Sequence, residues 1–252
     1  MPHEIVTVPC LADNYAFLIH DSATGGTALV DAPEAAPIEA ALGARGWTLT
    51  DILITHHHDD HVQGLGPLRG GARVVGAAAD AHRLPPLDLE VAPGDPLNVA
   101  GEVATVIDTP GHTVGHVAFH FPGLGAVFTG DGLMALGCGR LFEGTAAQMW
   151  DTMRRLRALP HDTVVYSGHE YTAANAAFAL TLEPDNPDLI SRASATDAAR
   201  AAGQPTVPST LGEELRTNPY LRVDDPAFLS ATGLTGAPAD VLAEVRRRKD
   251  AF

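Results

Sequence analysis

The segment Leu53-Ile54-Thr55-His56-His57-His58-Asp59-Asp60-His61 crowds four of the chain's 12 histidines, and two aspartates, into its last six positions. Core packing has no use for such a cluster, because imidazoles and carboxylates are costly to bury unless paired. Both are ordinary ligands for zinc, iron or manganese. Ile52–Thr55 reads as an apolar strand. Alternate residues of an extended segment point the same way, so His56 and His58 are expected to converge on one ion. Asp60 and His61 lie where the chain is expected to turn into a helix, within reach of a second ion. His57 alternates away from its neighbours and is expected to play a supporting part.

Four ligands do not complete two metal sites. The remaining donors are sought at other strand ends, where α/β sheets gather their sites. Thr109-Pro110-Gly111-His112-Thr113-Val114-Gly115-His116 follows the expected strand Val103–Asp108 and exposes His112 in a tight turn. Phe128-Thr129-Gly130-Asp131-Gly132 ends a strand in Asp131, and Tyr166-Ser167-Gly168-His169 ends another in His169. Each alone fits a turn residue; together they place three ligand-type side chains after three strands. His116 is expected to pack or hydrogen-bond rather than ligate.

The elements that must position these residues are short β-runs bounded by Gly, Pro, Asp or Asn. They are Ile5–Val8, Tyr15–His20, Ala28–Val30, Ile52–Thr55, Arg73–Gly76, Val103–Asp108, Val117–His120, Ala126–Thr129 and Thr163–Tyr166. Pro37–Arg45 reads as a helix. So does Thr145–Leu159, where Thr145 and Gln148 form a capping-box pattern and Met149, Met153, Leu156 and Leu159 make one apolar face. Beyond Gly168 the character changes. Tyr171–Leu182 is alanine-rich and helical, Asn186-Pro187 opens a helix toward Gly203, Gln204–Pro208 reads as a linker, and Ala237–Lys249 as a last helix. An α/β catalytic domain over residues 1–169, followed by a helical domain over 170–252, is the expected organisation.

Composition narrows the class. A chain of 252 residues is long enough for one large domain, or one with an appendage. The formal net charge of −15 repels phosphates and argues against nucleic-acid binding. No run is long and apolar enough to span a bilayer. The start, MPHEIVTVPC, lacks the basic and apolar regions of a signal peptide, so a cytoplasmic location is expected. Cys10 and Cys138, the two cysteines, stand far apart and read as reduced packing residues.

The order HxHxDH, then GHT, then GD, then Gly-His after a strand, resembles the metallo-β-lactamase superfamily. The resemblance implies an αββα sandwich in which His56, His58 and His112 bind one ion, Asp60, His61 and His169 bind the other, and Asp131 bridges both. Within that superfamily the chain is most similar to the glyoxalase II (hydroxyacylglutathione hydrolase) family. The matching segments are Pro9-Cys10-Leu11-Ala12-Asp13-Asn14-Tyr15, Gly137-Cys138-Gly139-Arg140-Leu141-Phe142-Glu143-Gly144-Thr145, Gly168-His169-Glu170-Tyr171-Thr172, Asn218-Pro219-Tyr220-Leu221-Arg222 and Arg246-Arg247-Arg248-Lys249-Asp250. They run from residue 9 to the C-terminal end.

The family likeness implies hydrolysis of S-D-lactoylglutathione to glutathione and D-lactate, a methylglyoxal-detoxifying step, by a protein acting as a monomer. A pair of divalent cations, zinc foremost, with iron or manganese as alternatives, would lower the pKa of a shared water. Asp60 and Asp131 would serve catalysis. Arg140, Phe142, Tyr171, Arg246 and Lys249 would bind the glutathione moiety, whose two carboxylates call for cations. Charge alone gives Arg246–Lys249 a plainer reading, a basic helix end complementing the helix dipole. Arg140 and Phe142 stand where the family often has Lys and Tyr. Arginine keeps the charge; phenylalanine loses a hydroxyl. Alternatives are an iron-dependent persulfide dioxygenase of the same superfamily, a lactonase or β-lactamase, and a non-catalytic metal-binding protein. The long helical C-terminal region argues against the dioxygenase, the lack of an export signal against a β-lactamase, and the full ligand set against a non-catalytic protein.

Overall fold

The computed structural model describes residues 3–252; Met1 and Pro2, which begin the expected first domain, lie outside the described residues. By contacts the chain forms two compact units, Met1–Asp108 with Gly115–Gly130, and Thr109–Val114 with Asp131–Phe252. This division is distinct from the expected functional one after residue 169.

The first unit contains β1 (His3–Cys10), β2 (Asn14–Asp21), β3 (Thr27–Val30), α1 (Ala35–Arg45), β4 (Asp51–Leu53), α2 (Asp59–Val62), α3 (Leu65–Arg69), β5 (Arg73–Ala77), β6 (Leu89–Val91), β7 (Pro96–Val99), β8 (Glu102–Asp108), β9 (Val117–Phe121) and β10 (Ala126–Gly130). β1 to β6 form one sheet in chain order. β1, β2 and β3 pair antiparallel, and β3 to β6 run parallel. β7, β8, β9 and β10 form an antiparallel meander. Strand periodicity divides β2 between two cores. Ala16 and Leu18 join Ile38 and Leu42 of α1 and Leu65 and Leu68 of α3. Phe17, on the opposite face, meets Phe128 of β10 with ring centres 5.6 Å apart. A sheet with helices on one face and a second sheet on the other is the result.

The carboxyl ends of the parallel strands carry the chemistry. β3 runs into Asp31, β4 into the histidine cluster, and β5 into the turn holding Asp80. β4 stops at Leu53, two residues before the expected end at Thr55. Ile54 N still donates to Val75 O at 2.9 Å, but Thr55 N donates to Asp31 Oδ1 at 2.8 Å. The ladder ends where a side chain takes the backbone donor. His56 and His58 therefore sit on a loop rather than a strand, and α2 begins at Asp59, as expected of the Asp60–His61 turn.

The second unit contains β11 (Leu133–Met134), β12 (Gly137–Cys138), α4 (Ala146–Arg157), β13 (Val164–Ser167), α5 (Thr172–Leu182), α6 (Pro187–Ala201), β14 (Ser209–Thr210), α7 (Leu211–Thr217), α8 (Pro226–Thr232) and α9 (Pro238–Asp250). The capping box at Thr145 and Gln148 is formed, and Asn186 Oδ1 caps α6 through Asp188 N and Leu189 N. Alanines let α5 and α6 approach closely, around Leu136, Ala176, Ala179, Leu189 and Ala193. Below the β11–β12 hairpin lies a buried polar network. Glu214, fully buried, pairs with Arg192 and accepts from Ser209 Oγ, Leu136 N at 2.9 Å and Asn218 Nδ2 at 3.0 Å. Asn218 Nδ2 also donates to Met134 O and Gly137 O, both at 3.0 Å. The hairpin is thereby held by side chains distant in sequence. Among the described residues, no helix is long and apolar enough to cross a membrane.

Candidate metal centre

In the first unit, one carboxylate orders two imidazoles. Asp31 is buried, its φ of 56° in the left-handed region. It accepts from Thr55 N, Thr55 Oγ1 and His61 Nδ1, each at 2.8 Å. Thr55 Oγ1, its proton given to Asp31, accepts from His56 Nδ1 at 3.0 Å. Both histidines, fully buried, are left presenting Nε2 as the donor atom. That is the usual way a protein fixes the tautomer of a metal-binding histidine. His56 Nε2 stands 3.2 Å from His58 Nδ1, and His61 Nε2 3.8 Å from Asp60 Oδ2. Asn14 Nδ2 holds Asp60 through Oδ2 at 3.1 Å and its carbonyl at 3.0 Å.

In the second unit, Asp131 lies between two histidines. Its Oδ2 is 3.4 Å from His112 Nε2 and its Oδ1 is 3.4 Å from His169 Nε2. His112 Nδ1 donates to Arg140 O at 2.8 Å, which again frees Nε2 for ligation. All three side chains are buried. Two donors each about 2.1 Å from one tetrahedral ion stand about 3.4 Å apart. The spacings at Asp131, and between His56 and His58, have that size, and the donor set of neutral imidazole and carboxylate suits a divalent ion. Asp131 thus offers each carboxylate oxygen to a different histidine.

His57 and His116 fall outside this set. His57 Nδ1 pairs with buried Asp80 at 2.9 Å, and Asp80 also binds Arg83. His116 is fully buried, its ring centre 4.9 Å from that of His56. Gly115 is required here, because a Cβ would lie 2.5 Å from the Asp80 carboxyl carbon. Both cysteines are buried, and burial pushes each thiol up to about 11, leaving them protonated at neutral pH. The supporting roles of Asp31, Asn14, Thr55 and Asp80 were missed from sequence, although Asn14 stands in a matching segment. The only signal for Asp31 is an aspartate closing a strand, a pattern shared with many turns.

The residues expected to bind substrate fall in the second unit. Phe142 is exposed, with its ring against His112 at 5.3 Å. Tyr171 stacks on His169 at 4.6 Å. Arg140 is exposed. Arg246 is buried, and its Nη1 donates to Cys138 O at 3.1 Å. Lys249 Nζ donates to Ala174 O at 2.8 Å and lies 5.3 Å and 5.1 Å from the ring centres of Phe178 and Phe252. Burial, with Arg246 and Arg140 nearby, pulls Lys249 down to about 8.

Sandwiched sheets with strand-end histidines and aspartates define the metallo-β-lactamase fold, and the family model "Metallo-beta-lactamase superfamily" matches residues 13–169. Solved structures agree. A crystal structure of ETHE1 from Myxococcus xanthus superposes with a TM-score of 0.67 at 27% identity, covering 100% of this chain and 99% of that one. TTHA1623 in a di-iron-bound form superposes with a TM-score of 0.61 at 27% identity, covering 86% of this chain and 100% of that one. A second family model, "Hydroxyacylglutathione hydrolase C-terminus", matches residues 170–252. The curated hydroxyacylglutathione hydrolase of Jannaschia sp. is 63% identical over 99% of this chain and 98% of its own length. That of Cereibacter sphaeroides is 62% identical over the full length of both. The chain belongs to the hydroxyacylglutathione hydrolase (glyoxalase II) family. Membership implies a binuclear divalent-metal site, and the clustered histidines and aspartates supply ligands for one.

Proposed function

We propose that the protein hydrolyses S-2-hydroxyacylglutathione thioesters, S-D-lactoylglutathione foremost, to glutathione and a 2-hydroxy acid such as D-lactate. The observation that carries this reading is residues 170–252. This segment matches the hydroxyacylglutathione hydrolase C-terminus, where a generic hydrolase of the fold would show no such match. Residues 1–169 are assigned the hydrolytic chemistry and residues 170–252 the recognition of glutathione.

His56, His58 and His112 are assigned to one ion, Asp60, His61 and His169 to the other, and Asp131 to both. Within the first unit His56 stands beside His58 and His61 beside Asp60, and within the second Asp131 stands between His112 and His169, which supports the assignment. Zinc is the preferred occupant, since the ligand set is borderline and needs no redox change. When bound, the ions supply Lewis acidity and an ionised water near neutral pH. The chain's own part is to hold the donors. Asp31 fixes His61 directly and His56 through Thr55, Arg140 O fixes His112, and Asn14 restrains Asp60. The leaving glutathione thiolate is a weak base and needs little protonation. Arg140, Lys249 and Tyr171 are assigned to the glutathione moiety, with Phe142 forming an apolar wall beside His112. The protein is assigned to the cytoplasm as a monomer with no nucleic-acid partner.

The test is direct. Metal-loaded protein should consume S-D-lactoylglutathione, seen as loss of thioester absorbance, and take up no oxygen with glutathione persulfide. Oxygen uptake with the thioester left intact would replace this reading with the dioxygenase one.

A further inference from the structure

α9 ends with Arg246, Arg247, Arg248, Lys249 and then Asp250. A carboxylate at this end opposes the helix, whose last carbonyls already present negative potential. Asp250 therefore calls for a partner outside the helix dipole. Its Oδ1 lies 2.8 Å from Arg246 Nη2 and 3.9 Å from Arg140 Nε. The two arginines differ in kind. Arg246 is buried and anchored to Cys138 O, whereas Arg140 is exposed on the loop that follows β12. The same loop supports the candidate centre, because Arg140 O accepts from His112 Nδ1. The rest of the basic run is engaged elsewhere: Glu244 pairs with Arg247 at 2.8 Å and Arg248 at 2.9 Å. Arg140 and Arg246 thus flank one carboxylate, and Lys249, though bonded to Ala174 O, lies close enough to feel all three charges. Three positive charges and one negative leave a local balance of +2 in a chain whose formal charge is −15.

We propose that Asp250 is a positioning residue for substrate, linking the buried Arg246 to the exposed Arg140 so that the Arg140 guanidinium, with Lys249 near it, meets the carboxylates of glutathione. The inference rests on the glutathione-thioester reading above. It also runs against simple charge counting. Removing a carboxylate from among three cations raises the local positive charge and by itself would tighten an anionic substrate. Positioning predicts the reverse, because an untethered surface arginine spreads over many rotamers and loses its pre-organisation.

The experiment compares wild type, Asp250→Asn and Asp250→Glu on two thioesters, S-D-lactoylglutathione and the lactoyl thioester of an uncharged small thiol. For Asp250→Asn, KM for the glutathione thioester should rise about 3- to 10-fold, the scale of one solvent-screened, charge-assisted contact. Its kcat should stay within about twofold, since the group acts only on binding. Kinetics on the uncharged thioester and metal content should not change, and Asp250→Glu should recover most of the lost affinity. A KM that is unchanged or lower overturns the proposal in favour of charge counting. A fall in kcat on both thioesters, or lost metal, overturns it in favour of a purely structural role. A wild-type enzyme that does not prefer the glutathione thioester refutes the glutathione reading itself, separately from any result on Asp250.

Discussion

Replacing Asp31 by asparagine is the sharpest test of how the histidines are prepared, because the change turns one of two acceptor oxygens into a donor amide and removes the negative charge while keeping the shape. The side chain keeps its volume, and asparagine tolerates the left-handed backbone at φ 56°. In the wild type, Oδ1 serves Thr55 N, while Oδ2 accepts from both Thr55 Oγ1 and His61 Nδ1. The amide oxygen can keep Thr55 N, which puts the amide NH2 where Oδ2 was. There it faces the Nδ1 proton of His61, donor against donor. His61 escapes by moving its proton to Nε2, and an Nε2 that carries a proton is not a ligand. The Thr55 hydroxyl loses its acceptor too, which loosens its hold on His56 Nδ1. Losing such a supporting carboxylate lowers metal affinity about 10- to 100-fold, or about 1.4 to 2.7 kcal/mol. Competition against a chelator, read as ions bound per chain, should show the ion assigned to Asp60, His61 and His169 lost at chelator levels the wild type withstands. Two ions per chain at wild-type affinity in the variant would refute the argument that Asp31 sets these tautomers.

Glu214→Ala should destabilise the fold by about 3–5 kcal/mol, because it strands the buried Arg192 cation, and urea unfolding measures this. Phe142→Tyr restores a hydroxyl beside His112, so KM for S-D-lactoylglutathione should fall about 2- to 10-fold at constant kcat. Lys249, pulled down to about 8, is charged below that pH and neutral above it. Its attraction for glutathione carboxylates is therefore complete on the acid side and fades as pH rises. KM should climb as pH passes about 8, and Lys249→Arg, charged throughout, should flatten that climb.

Sequence periodicity located the long elements because each obeys one rule over many residues. β2 alternates between two cores, and α4 carries a capping box and one apolar stripe. The candidate ligands were legible for a different reason: HxHxDH after a strand has little other use. β11, β12 and β14, two residues each, were not legible. Glu214 and Asn218 hold the β11–β12 hairpin from more than seventy residues away, and periodicity carries no trace of such a contact. Asp31 escaped notice because its role depends on β3 lying beside β4, a pairing that only the fold supplies. Charge alone reads Arg246 as part of a basic helix end and the family likeness reads it as a glutathione ligand; neither foresees that its guanidinium is buried against Cys138 O, a contact spanning 108 positions.

Titration of the metal-free protein with Zn2+, with bound ions and S-D-lactoylglutathione hydrolysis followed together, tests most directly whether these strand-end residues form a paired-ion thioesterase. Hydrolysis should be absent without metal, reach its plateau at two bound ions per chain, and disappear with the second ion in Asp131→Ala. Full hydrolysis without metal, or two tightly held ions in Asp131→Ala, would contradict the account.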